Sequence, residues 1–177
     1  DKLFPKIHSE GYKFLVIAIF VTIFLYVINS FLGLIGFVLT VWVYYFFRDP
    51  ERISINDDSY LISPADGEVL MLTKISIFMN IFDCHVNRTP CEGKISEILY
   101  KPGKFLNASL DKASEDNERN YYKIINNSGE DIIVVQIAGL IARRIVCESS
   151  KDQNLAQGER IGMIRFGSRA DVYFENY

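Results

Sequence analysis

The sequence has few of the residues that build metal centres and disulfide frameworks. Its 177 residues include three cysteines and two histidines. The cysteines form no CxxC pair and show no zinc-site spacing, so we expect no metal, and their odd number disfavours a disulfide framework. We therefore expect a reducing, cytoplasmic location and thiols that are buried as small apolar side chains at Cys84, Cys91 and Cys147.

The sequence also lacks the motifs and the charge excess of nucleotide-binding proteins. It contains no glycine-rich phosphate loop and no dinucleotide fingerprint. The net charge of -3 gives no reason to expect a nucleic-acid partner. A GSR triplet at residues 167–169 is not the nucleophile elbow of hydrolases, because it lacks the second glycine and continues a strand pattern.

What the sequence has in excess is apolar residues near its N-terminus. Two apolar runs, residues 14–28 and 31–47, are separated by Asn29 and Ser30. One continuous helix would be roughly 50 Å long, too long for a hydrocarbon core of about 30 Å. We therefore predict a membrane-associating helical hairpin over residues 1–47, spanning or re-entrant, with a hairpin buried in a soluble core as the alternative. Flanking cations place both ends on the cytoplasmic side: Lys2, Lys6, Lys13, Arg48 and Arg52.

Residues 48–177 show a different pattern, in which short alternating or β-branched runs are separated by turn residues. Runs such as DIIVVQI and KISIF are typical of strands, and Pro102 with Gly103 is typical of a turn. Regularly spaced short strands favour a β-rich barrel or sandwich. The predicted fold class is α+β and mostly β: an apolar helical hairpin followed by a β-rich, barrel- or sandwich-like domain.

The strand-like stretch RFGSRADVY contains a glycine and a serine where a strand interior is expected. Gly167 marks either an ordinary bulge beside a solvated Ser168 or a peptide bond that itself reacts. A nucleophilic serine needs a base, and the base needs an orienting acceptor. His85 is the one histidine outside the polar N-terminal leader, and Asp66 lies at a turn. The sequence alone does not bring these residues together.

Longer motifs are distributed over nearly the whole chain. They are YFFRDPER (45–52), ISPADGEV (62–69), NIFDCHVNRTPCEGKI (80–95), GKFLNASLDKASEDNERN (103–120), QIAGLIARRIV (136–146) and RIGMIRFGSRADVY (160–173). Together they resemble the short, bacterial form of phosphatidylserine decarboxylase. Linked motifs of this length are far more specific than any one of them.

The resemblance implies a carboxy-lyase of phospholipid biosynthesis that is made as a precursor and cleaves itself between Gly167 and Ser168. Ser168 would become a covalent pyruvoyl group, the cofactor, whose carbonyl forms a Schiff base with phosphatidylserine. Carbon dioxide and phosphatidylethanolamine are then released. His85 and Asp66 match the family's partners of the serine, and His85 is also the candidate proton donor.

The resemblance also implies a location and partners. The expected partners are phosphatidylserine in the membrane and the two chains of one precursor, a large chain ending at Gly167 and a small chain starting at Ser168. The catalytic domain, residues 48–177, would lie on the cytoplasmic side of the bacterial inner membrane. Whether the protein forms a homo-oligomer stays open.

Two features depart from the family pattern. The connection between SPADGEVLML and KISIF is shorter than in relatives, which tend to have a longer, Gly/Pro-rich segment there. Some branches of the family have a second histidine three residues after the first, where this sequence has Arg88. His85 would then serve both cleavage and decarboxylation.

Two other functional classes fit parts of the sequence. A lipoyl-type carrier is suggested by SLDKAS, in which Lys112 would be modified, and a membrane-anchored, non-enzymatic protein would explain the hairpin alone. A further set of cations could bind a lipid phosphate, because a guanidinium binds it with two hydrogen bonds, or could simply be solvated or membrane-facing: Arg88, Arg143, Arg144 and Arg165.

Overall fold

The computed structural model describes residues 5–55, 57–71, 74–110, 113–140, 144–165 and 168–174. The chain divides into two compact units, Asp1–Glu51 and Arg52–Tyr177. The first unit is mainly helical and the second consists mainly of strands. This confirms the predicted fold class.

The first unit is a helical hairpin with a short pair of strands at its base. β1 (Lys6–Ile7) is followed by α1 (Gly11–Ile28), α2 (Ser30–Phe46) and β2 (Arg48–Asp49). β1 and β2 pair in antiparallel fashion. Many of the large apolar side chains of both helices are exposed, and α1 is long and apolar enough to span a membrane, with a mean hydropathy of 2.3.

Asn29 separates the two helices, as the sequence predicted. Its backbone is extended, with φ −161° and ψ 133°, and its Oδ1 accepts a hydrogen bond of 2.8 Å from the backbone N–H of Phe31. An amide side chain in this position satisfies one of the N–H groups that a helix start leaves unpaired. The helices pack closely at Gly33, where an added Cβ would lie 2.7 Å from Cβ of Tyr26.

The described part of the second unit contains ten strands and one short helix. In chain order they are β3 (Glu68–Met71), β4 (Ile75–Met79), β5 (Val86–Arg88), β6 (Gly93–Lys101), α3 (Ala113–Asp116), β7 (Arg119–Asn126), β8 (Asp131–Ile137), β9 (Ile145–Cys147), β10 (Asn154–Leu155), β11 (Arg160–Ile164) and β12 (Ser168–Tyr173). The large sheet has the strand order β10-β6-β7-β8-β12-β4-β3, and the small sheet has the order β5-β11-β9.

The core lies between these two sheets, in a sandwich-like arrangement. Along β7, Tyr122 and Ile124 are buried, whereas the alternate residues Tyr121 and Lys123 lie on the opposite face. Ile161 of the small sheet packs in the same apolar cluster as these buried residues. Removing this apolar surface from water is the main driving force that holds the sheets together.

The chain passes from one sheet to the other three times at one end of the sandwich. These passages follow β4, follow β8 and precede β12. The register of the large sheet shows that the three passages lie at the same end, because Ser168 pairs with Met79 and Arg169 pairs with Ile137. We call this the crossover end; the opposite end carries the polar turn between β7 and β8.

The three cysteines differ in exposure. Cys84 and Cys91 are buried, as expected, and burial raises the pKa of the Cys91 thiol to about 11. The expectation of a buried thiol was wrong for Cys147, which is exposed. The reason is that β9 is an edge strand of the small sheet, so that it has a neighbour on one side only.

A bulge in β11 depends on Gly162. The register of β11 with β5 shifts between Arg160 and Gly162, and the φ of Gly162 is 155°. A Cβ at this position would lie 2.2 Å from the carbonyl oxygen of Val146 in β9. A side chain therefore cannot be accommodated unless β11 and β9 separate.

We expect Gly162→Ala to destabilise the second unit by roughly 1–3 kcal/mol, because the added methyl group collides with backbone and not with a movable side chain. Gly129→Ala is the matched control, since Gly129 also has a positive φ of 82° but nothing within 4 Å of the added Cβ. Thermal unfolding in detergent measures both. Equal losses of stability would contradict the steric argument.

Candidate active site

Ser168 is the first residue of β12 and is fully buried. Its strand lies between β4 and β8, and Ser168 pairs in register with Met79 of β4. The hydroxyl donates to Sδ of Met79 over 3.9 Å. A thioether is a weak acceptor, so the hydroxyl is removed from water with little compensation. Gly167, the predicted partner in cleavage, lies outside the described residues.

The start of β12 is surrounded by small or apolar side chains. Met79, Ile164 and Ala170 form a buried cluster at the crossover end, against which Ala65 and Ile145 pack. These residues come from both sheets and from the segment before β3. An environment of this kind excludes water and favours uncharged groups.

His85 immediately precedes β5 and is also fully buried. Its carbonyl oxygen accepts a hydrogen bond of 3.2 Å from the N–H of Ile164, close in the chain to Ser168. Its ring Nδ1 lies 3.0 Å from the carbonyl oxygen of Asp83. Because a carbonyl only accepts, the proton of the neutral ring lies on Nδ1, and Nε2 keeps the lone pair that a general base needs.

Asp66 lies in the segment before β3, and its carboxylate forms an ion pair with Arg52. Both side chains are partly exposed, so the pair contributes little to stability. The segment is held beside β5, since the N–H of Arg88 donates to the carbonyl of Pro64 over 2.9 Å. This contact brings the loop of Asp66 to the strand that begins just after His85.

The structure brings the three predicted site residues to one region but does not join them directly. Ser168 and His85 both lie at the crossover end. Asp66 shares a pocket with Cys84 and Val86, the two residues that flank His85 in the sequence. Among the described residues, no hydrogen bond joins Ser168 to His85 or His85 to Asp66. The orienting acceptor of His85 is the backbone carbonyl of the turn before it.

A series of buried polar side chains leads from the core to Met79. The hydroxyl of Tyr122 lies 2.8 Å from Oε1 of Gln136, whose Nε2 donates to Oδ1 of Asn87 over 2.9 Å. Nδ2 of Asn87 in turn donates to Sδ of Met79 over 3.5 Å. The sulfur therefore accepts both from this network and from the hydroxyl of Ser168. We call these three residues, Tyr122, Gln136 and Asn87, the buried amide network.

The sequence analysis missed the buried amide network, although two signals for it were present. Gln136 is a polar residue inside the apolar run VVQIAG, and Asn87 alternates with His85, which puts both on one side of the chain. Burial raises the pKa of Tyr122, so its hydroxyl stays protonated and remains a donor. It also lies 2.9 Å from the carbonyl oxygen of Ile161, which ties the network to the small sheet.

A buried ion pair lies on the other face of β12. Nε of Arg169 donates to Oδ1 of Asp171 over 2.6 Å, and its Nη2 donates to the hydroxyl of Ser76 in β4 over 2.8 Å. Nζ of Lys74 lies 3.3 Å from Oδ2 of Asp171. Arg169, Asp171 and Ser76 are fully buried. These contacts fasten β12 to β4 directly beside Ser168.

The arginines considered as phosphate ligands have different environments. Nη1 of Arg88 donates to the carbonyl of Gly158 over 2.9 Å, which gives it a structural role. Arg144 is exposed, and burial lowers the pKa of Arg165. Arg143 lies outside the described residues. The described residues contain no group of three His, Cys, Asp or Glu side chains that could hold a metal ion.

Comparison with known proteins gives consistent matches. A profile of the family described as phosphatidylserine decarboxylase matches residues 69–177. The phosphatidylserine decarboxylase proenzyme of Pelagibacter ubique (strain HTCC1062) is 81% identical, over 100% of this chain and 90% of the relative. The proenzyme of Ruegeria pomeroyi is 53% identical, over 98% of this chain and 86% of the relative. The proenzyme of Cereibacter sphaeroides is 52% identical, over 94% of this chain and 78% of the relative.

The comparison with the Pelagibacter protein also shows that this chain is shorter within the aligned region. The alignment has 193 positions whereas the chain has 177 residues, so the relative has residues that this chain lacks. The sequence analysis noted a short connection after SPADGEVLML. Leu72 and Thr73, which belong to that connection, lie outside the described residues.

We expect Tyr122→Phe to lower the free energy of unfolding by about 1–3 kcal/mol, because it removes the buried hydroxyl that lies within hydrogen-bond distance of both Oε1 of Gln136 and the carbonyl oxygen of Ile161. The control is Tyr121→Phe, on the opposite face of the same strand, for which the change should be much smaller. Denaturant titration in detergent compares the two. If the Tyr121 variant lost as much stability, the buried amide network would not be the cause.

Proposed function

The chain belongs to the phosphatidylserine decarboxylase family, and we propose that its active site forms when the peptide bond between Gly167 and Ser168 is cleaved. The family membership makes the protein an enzyme, a decarboxylase that acts on phosphatidylserine. It does not agree with the lipoyl-carrier or non-enzymatic alternatives, and Lys112, the lysine of the first, lies outside the described residues. The observation that carries the proposal is the position of Ser168, a buried hydroxyl whose bonded partner is a thioether.

In the proposed cleavage, Oγ of Ser168 attacks the carbonyl carbon of Gly167. The Oγ–C bond forms as the C–N bond breaks, and the released amine takes a proton. Elimination then removes the Cα proton of residue 168 to a base, breaks the Cβ–Oγ bond and frees the carboxylate of Gly167, and the enamine that remains tautomerises to an imine. Water hydrolyses the resulting imine and releases ammonia, which leaves a pyruvoyl group at the start of β12. The precursor naming of the relatives agrees with a processed chain.

His85 is proposed as the base that takes the proton of the Ser168 hydroxyl. Its Nδ1 is engaged by the carbonyl of Asp83, so Nε2 is the nitrogen with the lone pair. Asp66, beside the residues that flank His85, would stabilise the imidazolium by its charge. Release of Asp66 from Arg52 would strengthen that effect.

The surroundings of Ser168 fit a pyruvoyl group. Loss of the hydroxyl would remove only a weak hydrogen bond to the thioether of Met79, which keeps Nδ2 of Asn87 as a donor, and the neighbouring Ile164 and Ala170 have apolar side chains. When present, this group supplies a carbonyl that takes up electrons as the carboxylate of the substrate leaves. His85 would hold the proton that the product carbon needs, at Nε2.

The two chains produced by cleavage should stay together. β12 pairs with β4 on one side and with β8 on the other, from Arg169 to Val172 on both sides. The Arg169 and Asp171 pair adds buried contacts to β4 and to Lys74. The small chain beginning at Ser168 is therefore proposed to remain as a central strand of the large sheet.

We further propose that residues 1–47 attach the enzyme to the bacterial inner membrane, with residues 48–177 forming the catalytic domain on the cytoplasmic side. The exposed apolar surface of α1 and α2 and the length of α1 support membrane association. The cations on both flanks of the hairpin support the cytoplasmic orientation. The substrate is itself a membrane lipid, so attachment keeps enzyme and substrate on one surface.

We expect Ser168→Ala to remain a single chain and His85→Ala to be cleaved very slowly or not at all, because the first lacks the nucleophile and the second the base. Asp66→Asn should slow cleavage by about 10²-fold or more, in the range typical of an acid–base residue. Intact mass spectrometry after synthesis measures cleavage and the pyruvoyl terminus. The matched control is His8→Ala, at the other buried histidine, which should mature normally. Efficient cleavage of the Ser168 variant would disprove the proposal.

The exposed thiol of Cys147 provides a test of orientation. If the catalytic domain is cytoplasmic, a membrane-impermeant maleimide should leave Cys147 unlabelled in intact spheroplasts and label it in inside-out vesicles. Cys84 and Cys91 are buried and should react slowly in both. Cys147→Ser gives the background. Labelling in intact spheroplasts would place the domain on the outer side and contradict the proposal.

A further inference from the structure

A tight turn at the crossover end carries two exposed apolar residues at its tip. In the turn of residues 80–83, the N–H of Asp83 donates to the carbonyl of Asn80 over 3.0 Å. The side chains of the same two residues close it further, since Oδ2 of Asp83 accepts from the N–H of Asn80 and Oδ1 of Asn80 accepts from the N–H of Phe82, both over 2.8 Å. Ile81 is 39% exposed and Phe82 57% exposed. Turn tips normally carry Gly, Pro, Asn, Asp or Ser, so this composition is unusual.

A third exposed apolar residue lies two strands away. Leu140, 62% exposed, follows the end of β8 just as the turn of residues 80–83 follows the end of β4. β12 lies between these strands, and its first residue, Ser168, is in register with Met79. Because β12 lies between β4 and β8, the strand ends from which the turn and Leu140 follow lie on either side of the start of β12. We call Ile81, Phe82 and Leu140 the apolar tip.

The opposite end of the large sheet has a different character. The turn between β7 and β8 is NNSGE, and Asp131 follows it. Asn126, Asn127 and Glu130 make polar contacts there. The turn at this end is therefore polar, whereas the crossover end carries the exposed apolar side chains of Ile81, Phe82 and Leu140 beside Ser168.

The charges near the apolar tip are compatible with an anionic surface. Lys101 pairs in register with Arg119, which pairs with Ile137, and Lys101 is exposed. Arg144, in the passage that contains Leu140, is exposed as well. Acidic residues occur here too: Asp116 is paired with Lys104 and Asp83 is engaged in closing its turn, whereas Glu68, in register with Phe78, is exposed. The exposed cations near the tip are thus available to lipid phosphates.

We propose that the apolar tip inserts into the surface of a bilayer that contains anionic phospholipid, so that the crossover end itself docks on the membrane. The inference rests on the proposed function, because it assigns to the same site the surface from which the lipid substrate enters. Separate side chains on short loops, with cations beside them, suit a soft lipid surface, where each residue inserts independently. The docking surface belongs to the second unit and is additional to the hairpin.

The first experiment measures insertion without relying on catalysis. Trp42 is the only tryptophan, so in a Trp42→Phe background a reporter can be placed by Phe82→Trp or, at the polar end, by Ile125→Trp. Ile125 is 39% exposed and serves as the matched control. In vesicles of phosphatidylserine and brominated phosphatidylcholine, the reporter at position 82 should be quenched and blue-shifted, and the reporter at 125 should not. Equal quenching at both positions, or none at 82, would overturn the proposal.

The second experiment separates docking from chemistry. The full chain carrying Phe82→Asp and Leu140→Asp should still cleave itself, but should turn over vesicle phosphatidylserine about tenfold more slowly, because charged tips do not insert. Dihexanoyl phosphatidylserine, which is soluble, should react with the variant as fast as with the unaltered protein. Ile125→Asp should change the rate on neither substrate.

An equal loss of rate on both substrates would refute docking and indicate damage to the active site. A change of particle mass in detergent, with no quenching at 82, would instead identify the tip as a contact between copies. Absence of cleavage in the unaltered chain would refute the proposed function and leave the quenching result valid.

Discussion

The pairing of β12 on both of its edges is the constraint on which the rest of the site depends. A serine at the end of a solvent-exposed loop would sample many positions, whereas Ser168 begins a strand held between β4 and β8. The Arg169 and Asp171 pair, buried with Ser76, makes this placement costly to disturb, because breaking one partner of a buried pair leaves an uncompensated charge. The alternation of the strand then puts Ser168 on the core face and Arg169 on the other face. The contacts of Arg169 and Asp171 hold the strand in place on one face, and Ser168 presents its hydroxyl on the other face.

The neighbours of the Ser168 hydroxyl make only weak interactions with it, so its environment does not hinder a reaction. Met79 offers a soft acceptor, and the same sulfur is shared with Asn87 at the end of the buried amide network. The hydroxyl is thus positioned by packing and register and is not held by a strong hydrogen bond that a reaction would have to break. His85 reaches the same end through the small sheet, by its backbone contact with Ile164. The two proposed reactive groups are therefore supplied by different sheets and both lie at the crossover end.

Local patterns in the sequence predicted much of the fold. The polar break at Asn29 predicted where the hairpin turns, and alternating runs such as DIIVVQI predicted strands. The order of strands was not predictable, since placing β12 between β8 and β4 depends on long-range register, which no local pattern encodes. Arg169 and Asp171 illustrate the limit for the site, because alternating charged residues in RADVY indicate a solvated face, yet both are fully buried. Residue types and the family resemblance identified Ser168, His85 and Asp66 as candidates, but the acceptor of His85 proved to be a backbone carbonyl, which has no signature in sequence.

Asp83 connects two properties of the crossover end that would otherwise be independent. Its carboxylate closes the turn that presents Ile81 and Phe82, and its carbonyl fixes the proton of the His85 ring on Nδ1. Removing the side chain of Asp83 would loosen the turn. A looser turn would change the direction of the Asp83 carbonyl. The tautomer of His85 thus depends on the same turn, residues 80–83, that carries Ile81 and Phe82. The turn that presents Ile81 and Phe82 and the orientation of the His85 ring are thereby linked through one short segment.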